Sequence, residues 1–159
     1  MDSTLTLTPL IREGTQNANG TFKSKRHFLD FVVDRESLWG ALGKRHDVVS
    51  ILCAEYPSDQ TEKAIGRLLL NAKADLPNDR RSFFVCSECG DLGCGAITAV
   101  VEREGETITW KTFGYENTYE DKILLDAYST VGPFAFNATA YERTLVQAMN
   151  LLRRAVVGR

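Results

Sequence analysis

Three of the four cysteines of this chain, Cys86, Cys89 and Cys94, fall within nine consecutive residues. A Cys-x2-Cys pair on a turn supplies two thiolate ligands for zinc, and a third sulfur nearby can supply another. A full zinc signature contains two such pairs, and this sequence has one pair and a single cysteine. The fourth ligand must therefore come from elsewhere in the chain, and its candidates are Cys53, His46 and His27. The metal hypothesis takes Cys53 together with the three clustered cysteines.

The same segment supports two further interpretations. Cys86-Ser-Glu-Cys89 is a Cys-x-x-Cys motif, which in thioredoxin-like proteins opens a helix whose N-terminus lowers the thiol pKa. The Gly-Asp-Leu-Gly that follows Cys89 does not favour a helix, which weakens the redox interpretation. Alternatively, the glycines at 90, 93 and 95 shape a tight turn whose reduced thiols are simply packed. The sequence leaves these three interpretations open.

Residues 115–128 form a second candidate region, rich in carboxylates and tyrosines. Loops of this composition are commonly solvated, which is one interpretation. Tyrosines ringed by charge also suit a protein-binding surface, which is the other. The residues that such a surface would use are Tyr115, Glu116, Tyr119, Glu120 and Asp121.

Composition and motifs exclude several function classes. The formal net charge of -2 provides no bulk attraction to nucleic acid or to an anionic membrane. No P-loop and no Gly-x-Gly-x-x-Gly motif supports a nucleotide cofactor, and no catalytic residues can be assigned. The basic clusters at 23–26 and 80–81 are expected on the solvated surface. Without a secretory signal or an apolar run of about 20 residues, we expect a cytoplasmic protein with reduced thiols.

Hydrophobic periodicity predicts one α+β domain over residues 1–159, with an antiparallel sheet of about five to six strands packed against three helices. Strands are predicted at 4–8, 27–33, 48–53, 82–86, 95–103 and 107–115. A first helix is predicted after Asp34 as N-cap, with Gly43 as its stop. A second helix begins near Asp59, and a third begins at the capping box of Thr139 and Glu142.

The run from Phe84 to Arg103, with its Cys-Gly-Asp-Leu-Gly-Cys-Gly turn, is similar to a group of small bacterial proteins of unknown function. Phe113-Gly-Tyr-Glu-Asn117 and Val131-Gly-Pro-Phe-Ala-Phe136 also resemble these proteins. The resemblance implies a turn between two strands. Some members are described as oxidoreductases, but the resemblance implies no catalytic residues. In size, acidity and mixed α and β content the chain also resembles bacterial toxin-immunity proteins.

These observations favour a non-enzymatic binding protein, such as an immunity protein that neutralises a toxin through its acidic, tyrosine-bearing surface. The alternative is a zinc-binding or thiol-redox protein that works through residues 86–94.

Overall fold

The structure is a computed structural model that describes residues 2–43, 46–120 and 122–157. The described residues form strands β1 (Leu5–Arg12), β2 (Thr15–Gln16), β3 (Phe22–Lys23), β4 (Arg26–Val33), β5 (Glu36–Ser37), β6 (Val48–Ser50), β7 (Arg80–Cys86), β8 (Ala96–Glu104), β9 (Thr107–Glu116) and β10 (Phe134–Asn137). The α-helices are α1 (Ser58–Leu68), α2 (Ala138–Leu145) and α3 (Ala148–Val157). Shorter helical turns occupy Trp39–Gly43, Pro77–Asp79, Leu92–Cys94 and Asp126–Tyr128.

The larger sheet has five antiparallel strands in the order β10-β9-β8-β7-β6. Its centre is the hairpin of β8 and β9, which closes at Gly105 with a positive φ of 60°. Every residue of β7 except Cys86 is buried, because protein covers both faces of that strand. Cys86 therefore ends β7 at the point where the chain leaves the sheet.

A second sheet, in the order β1-β4-β5, carries the N-terminal strands. The segment after β6 connects the two sheets, since the Leu29 amide donates to the Leu52 carbonyl at 2.9 Å and the Ala54 amide donates to the His27 carbonyl at 2.8 Å. The predicted antiparallel pairing and the number of three α-helices are confirmed, but the three helices do not all coincide with the predicted ones. The predicted single sheet is instead divided, because β1 and β4 pair with each other rather than with the larger sheet.

Aromatic side chains fill the space between the sheets and the helices. Trp110 lies at the centre, fully buried, with its ring centroid 4.7 Å from that of Phe83 and 4.8 Å from that of Phe136. Its indole N–H donates to the hydroxyl of Tyr141 at 3.1 Å, and this hydroxyl donates to the Leu68 carbonyl at 2.7 Å. Both polar atoms of these buried rings are thus satisfied, as a stable core requires.

The prediction of a helix that begins after Asp34 is wrong. Asp34 and Arg35 adopt positive φ angles of 51° and 73° and form the turn between β4 and β5. The Asp34 carboxylate accepts from the Thr4 amide rather than capping a helix, and only a π-helical turn follows, at Trp39–Gly43. Strand pairing therefore decides the conformation of this segment.

The C-terminal helix begins earlier than predicted and is interrupted. The N-cap of α2 is Asn137, whose side chain accepts from the Ala140 amide at 3.0 Å, rather than Thr139. The predicted continuous helix breaks between Leu145 and Ala148 into α2 and α3. The strand pairing of β10 runs as far as Asn137, so the helix begins where that pairing ends.

Candidate metal centre

The connection from β7 to β8 is the turn that carries three cysteines. Gly95 enters β8 with φ 104°, and a Cβ placed there would lie 1.9 Å from the hydroxyl oxygen of Tyr115. Only glycine fits this approach, because a side chain would meet both a forbidden backbone region and the tyrosine. The Tyr115 hydroxyl donates to the Cys94 carbonyl at 3.3 Å. The glycine thus lets the chain return close to the position at which it left the sheet.

The turn brings the sulfurs of Cys86, Cys89 and Cys94 within 4.8 Å of one another. The Sγ atoms of Cys89 and Cys94 are 3.2 Å apart, and all three thiols are free. Around one zinc ion, tetrahedral thiolates with Zn–S bonds of about 2.3 Å lie about 3.8 Å from each other. The 3.2 Å pair and the 4.8 Å limit bracket this spacing, so small side-chain movements would place the three sulfurs around one ion.

Backbone amides favour a thiolate at Cys86. Partial burial alone would raise the pKa of this thiol, but the amides of Cys89 and Glu88 and the two neighbouring thiols outweigh that effect and lower it. The pKa of Cys94 is raised to about 11, first by its hydrogen bond with Cys89 and then by desolvation. The thiol of Cys86 is thus the more readily ionised of these two, and a bound cation would favour the thiolate form of Cys94.

The predicted fourth ligand, Cys53, lies outside this cluster. Its thiol is buried, which raises its pKa to about 12, and it donates to the Glu55 carboxylate at 3.6 Å. His27 is 2.7 Å from the same carboxylate through Nδ1. His46 bonds to the Tyr128 hydroxyl at 2.9 Å and stacks on Tyr115. In the ranges that the structure describes, no further cysteine, histidine or carboxylate joins the three sulfurs.

Asp91, in the middle of the turn, has a local role. Its carboxylate accepts from the Gly93 amide at 2.8 Å, which caps the short helical turn Leu92–Cys94. No α-helix begins directly after Cys89, since the short helical turn Leu92–Cys94 leads into β8. The expectation that no helix starts after the Cys-x-x-Cys motif is confirmed.

Polar groups from three distant segments hold the turn. The Glu88 carboxylate accepts from Arg12 Nη1 at 2.8 Å and from the Ser24 amide at 2.8 Å. These contacts, led by the Arg12 hydrogen bond, lower the pKa of Glu88 to about 2. The carbonyl of Asp47 accepts from the amide and the hydroxyl of Ser87. The cysteine turn is therefore fixed to β1, to the segment before β4 and to the start of β6.

Sequence reasoning missed this anchoring. The cluster 23–26 was expected to be solvated, yet the side chain of Arg26 is only 15% exposed and bonds to the cysteine turn. Arg80 and Arg81 were also expected at the surface, and this prediction is wrong because both are buried. The signal that was available is the position of the arginines at the ends of strands whose other residues are mostly apolar.

The acidic segment does not lie wholly on the surface. Glu116 is buried and pairs with Arg80 at 2.9 Å, and Tyr115 is half-buried against His46. Tyr119 is 81% exposed, and Glu120 is also exposed. Asp121 lies outside the described residues. Of the described residues predicted for a partner surface, Tyr119 and Glu120 are the ones most open to solvent.

No family, curated protein or solved structure similar to this chain was found. Among the described helices, none combines the length and the apolar character needed to cross a bilayer.

Proposed function

We propose that this protein is a metal-binding protein that holds one zinc ion through Cys86, Cys89 and Cys94. The observation that carries the proposal is the convergence of these three sulfurs within 4.8 Å. Thiolates are soft ligands that select zinc, copper(I) or iron–sulfur clusters, and zinc suits sulfurs at tetrahedral spacing. Zinc binding displaces the thiol protons into solvent, so the zinc affinity rises with pH.

The proposed site is open at one coordination position. Cys89 and Cys94 are exposed, and no fourth protein ligand joins them among the described residues. Water or an external donor completes the tetrahedron, as in zinc sites that exchange ligands rather than in closed structural sites. A bound ion is therefore accessible to a small molecule or to a competing chelator.

Metal titration of single-cysteine variants tests this proposal. Zinc is titrated against a chromophoric chelator, with Cys86→Ser and Cys89→Ser as ligand variants and Cys53→Ala as the matched control. We expect one zinc per chain in the wild type and in Cys53→Ala, and a large loss of affinity in the two ligand variants. Equal zinc affinity in all four proteins would refute the site.

Thiol redox chemistry is the second candidate function, and the 3.2 Å separation of the Cys89 and Cys94 sulfurs favours it. With a small-molecule disulfide as oxidant, the two thiols form one S–S bond and lose two protons and two electrons. The oxidant's S–S bond breaks, and it leaves as two thiols. Mass spectrometry of the zinc-free protein after this treatment detects the loss of two hydrogen atoms. A reversible disulfide that forms in wild type but not in Cys94→Ser supports this function.

Neutralisation of a toxin, or binding of another protein partner, stays a prediction. Its support is limited to the exposed Tyr119 and Glu120, because Glu116 is occupied by its ion pair with Arg80. A partner identified by other means should lose affinity when Tyr119→Ala is introduced. Unchanged affinity of Tyr119→Ala for that partner would show that residues 115–128 do not form the binding surface.

A further inference from the structure

The guanidinium of Arg26 donates hydrogen bonds to two successive carbonyls of the cysteine turn. Its Nε donates to the Ser87 carbonyl at 2.7 Å, and its Nη2 donates to the Glu88 carbonyl at 2.8 Å. Its guanidinium carbon also lies 5.6 Å from the ring centroid of Tyr56, which limits its movement. The Tyr56 hydroxyl donates to the Cys86 carbonyl at 2.6 Å. Three consecutive carbonyls of the turn are thus held by side chains from other segments.

The two carbonyls that Arg26 binds belong to two of the three peptide units that link Cys86 to Cys89. The Ser87 carbonyl shares its peptide plane with the Glu88 N–H, and the Glu88 carbonyl shares its plane with the Cys89 N–H. In a planar trans peptide the C=O and the N–H point in opposite directions. A donor that fixes both carbonyls on one side therefore directs both N–H groups to the other side. This donor thus fixes the course of the chain between Cys86 and Cys89, whose sulfurs lie within 4.8 Å of each other.

The side chain of Glu88 holds the same two peptides from a second direction. Its carboxylate accepts from Arg12 Nη1 and from the amide and hydroxyl of Ser24. The side chain of Arg26 is mostly buried, so its guanidinium has little room to move away from the two carbonyls. A lysine in its place is a point donor and cannot bridge two carbonyls in a fixed plane.

We infer that Arg26 is a positioning residue of the metal centre, which orients the peptides of Ser87–Glu88 and Glu88–Cys89 so that the sulfurs of Cys86 and Cys89 converge on one ion. This inference rests on the proposed function, because it assigns a role at the same site. Arg26 does not touch the ion. It acts through the turn, as the outer hydrogen-bond partners of metal ligands do in other sites.

Arg26→Lys tests the inference, with Arg103→Lys as the matched control. Arg26 forms an ion pair with the Glu88 carboxylate at 3.8 Å. Arg103 forms one with Glu142 at 2.9 Å and donates to the Gly105 carbonyl, away from the cysteine turn. Zinc affinity is measured by chelator competition, and the coordination geometry is read from the visible spectrum of the cobalt(II) form. Circular dichroism and denaturant unfolding of the metal-free proteins establish that each variant is folded.

We expect Arg26→Lys to bind zinc about ten- to a hundredfold more weakly, with shifted cobalt bands, while Arg103→Lys matches the wild type. A purely structural role for Arg26 lowers the unfolding midpoint but leaves the cobalt spectrum unchanged, and that result overturns the inference. Should Arg26→Lys fail to fold, Arg26→Gln, which keeps an amide donor on a shorter side chain, takes its place with the same expected loss.

The outcomes separate the two claims. A wild type that binds zinc, together with an Arg26→Lys variant of equal affinity and equal spectrum, overturns the positioning role and leaves the metal site intact. A wild type that binds neither zinc nor cobalt overturns the proposed function and this inference with it.

Discussion

Two arginines removed from solvent, Arg80 in the larger sheet and Arg26 at the cysteine turn, differ in what they bond. Arg80 donates to the Glu116 carboxylate at 2.9 Å and to the hydroxyl of Thr98 at 3.0 Å. Its remaining bonds reach carbonyls within the same sheet. Arg26 instead donates to two carbonyls of a turn that carries three free thiols.

The difference separates a stabilising arginine from a positioning one. The Arg80 cluster closes on itself, because its cation, carboxylate and hydroxyl satisfy one another inside the sheet. The Arg26 contacts instead reach the backbone of a turn whose three free thiols lie within 4.8 Å of one another. Changes in the first cluster should therefore alter the stability of the protein, and changes in the second should alter metal affinity.

The largest expected effect on stability is that of Glu116→Ala. Removing one partner of a buried ion pair leaves Arg80 without its counter-charge, which costs about 3–5 kcal/mol in the free energy of unfolding. Denaturant unfolding measures this loss, and Glu142→Ala in the exposed pair with Arg103 is the control, at about 0–1 kcal/mol. The zinc affinity of the folded Glu116→Ala protein should equal that of the wild type. Weaker zinc binding by Glu116→Ala would contradict the distinction between a stabilising Arg80 and a positioning Arg26.

Zinc itself should produce the next largest effect. A ligand present at a hundred times its dissociation constant stabilises the folded state by about 2.7 kcal/mol, provided that it does not bind the unfolded chain. Thermal unfolding with and without zinc should show this gain in wild type and in Glu116→Ala, and should show none in Cys86→Ser. An equal gain in Cys86→Ser would mean that zinc binds elsewhere.

The smallest effect is expected at Asp47, which supports the turn from the protein surface. Burial alone raises its pKa, but hydrogen bonds from Arg12 and Ser87 and the charges of Arg12 and Lys23 lower it below the ordinary value of 3.8. Because the folded-state pKa lies below the unfolded one, the carboxylate stabilises the protein above about pH 3.8. That contribution disappears as the pH falls through the folded pKa.

Asp47→Asn should therefore lower stability at pH 7 by about 0.2–1 kcal/mol, because the carboxylate is partly exposed and screened. Unfolding curves of the variant and the wild type should converge as the pH drops below 3.8, the ordinary value for this carboxyl. A difference that persists unchanged at acidic pH would show that the charge of Asp47 is not responsible.

Local sequence patterns were sufficient to predict the strands around the site. The alternation of apolar residues predicted the β8–β9 hairpin, and the glycines predicted the tight return of the chain at residues 90–95. These features depend on neighbours in the chain, so periodicity and turn chemistry reveal them. The clustering of Cys86, Cys89 and Cys94 follows from the same turn.

The contacts of Arg26 and the place of Cys53 could not be predicted in this way. Arg12, Ser24 and Asp47 meet the cysteine turn only because the two sheets pack together, and no spacing in the sequence encodes that approach. Cys53 follows β6 closely in sequence, but it pairs with Phe28 of β4 through an isolated β-bridge. Its thiol therefore faces Glu55 rather than the three clustered sulfurs. Tertiary packing also converted the expected helix after Asp34 into a strand turn.

X-ray absorption at the zinc edge of the zinc-loaded protein tests the central claim most directly, because it counts the sulfurs around the ion. The three-thiolate site predicts three sulfur atoms at about 2.3 Å and one lighter atom at about 2.0–2.2 Å. Four sulfurs would contradict the open position, and a shell of nitrogen and oxygen alone would contradict the site itself.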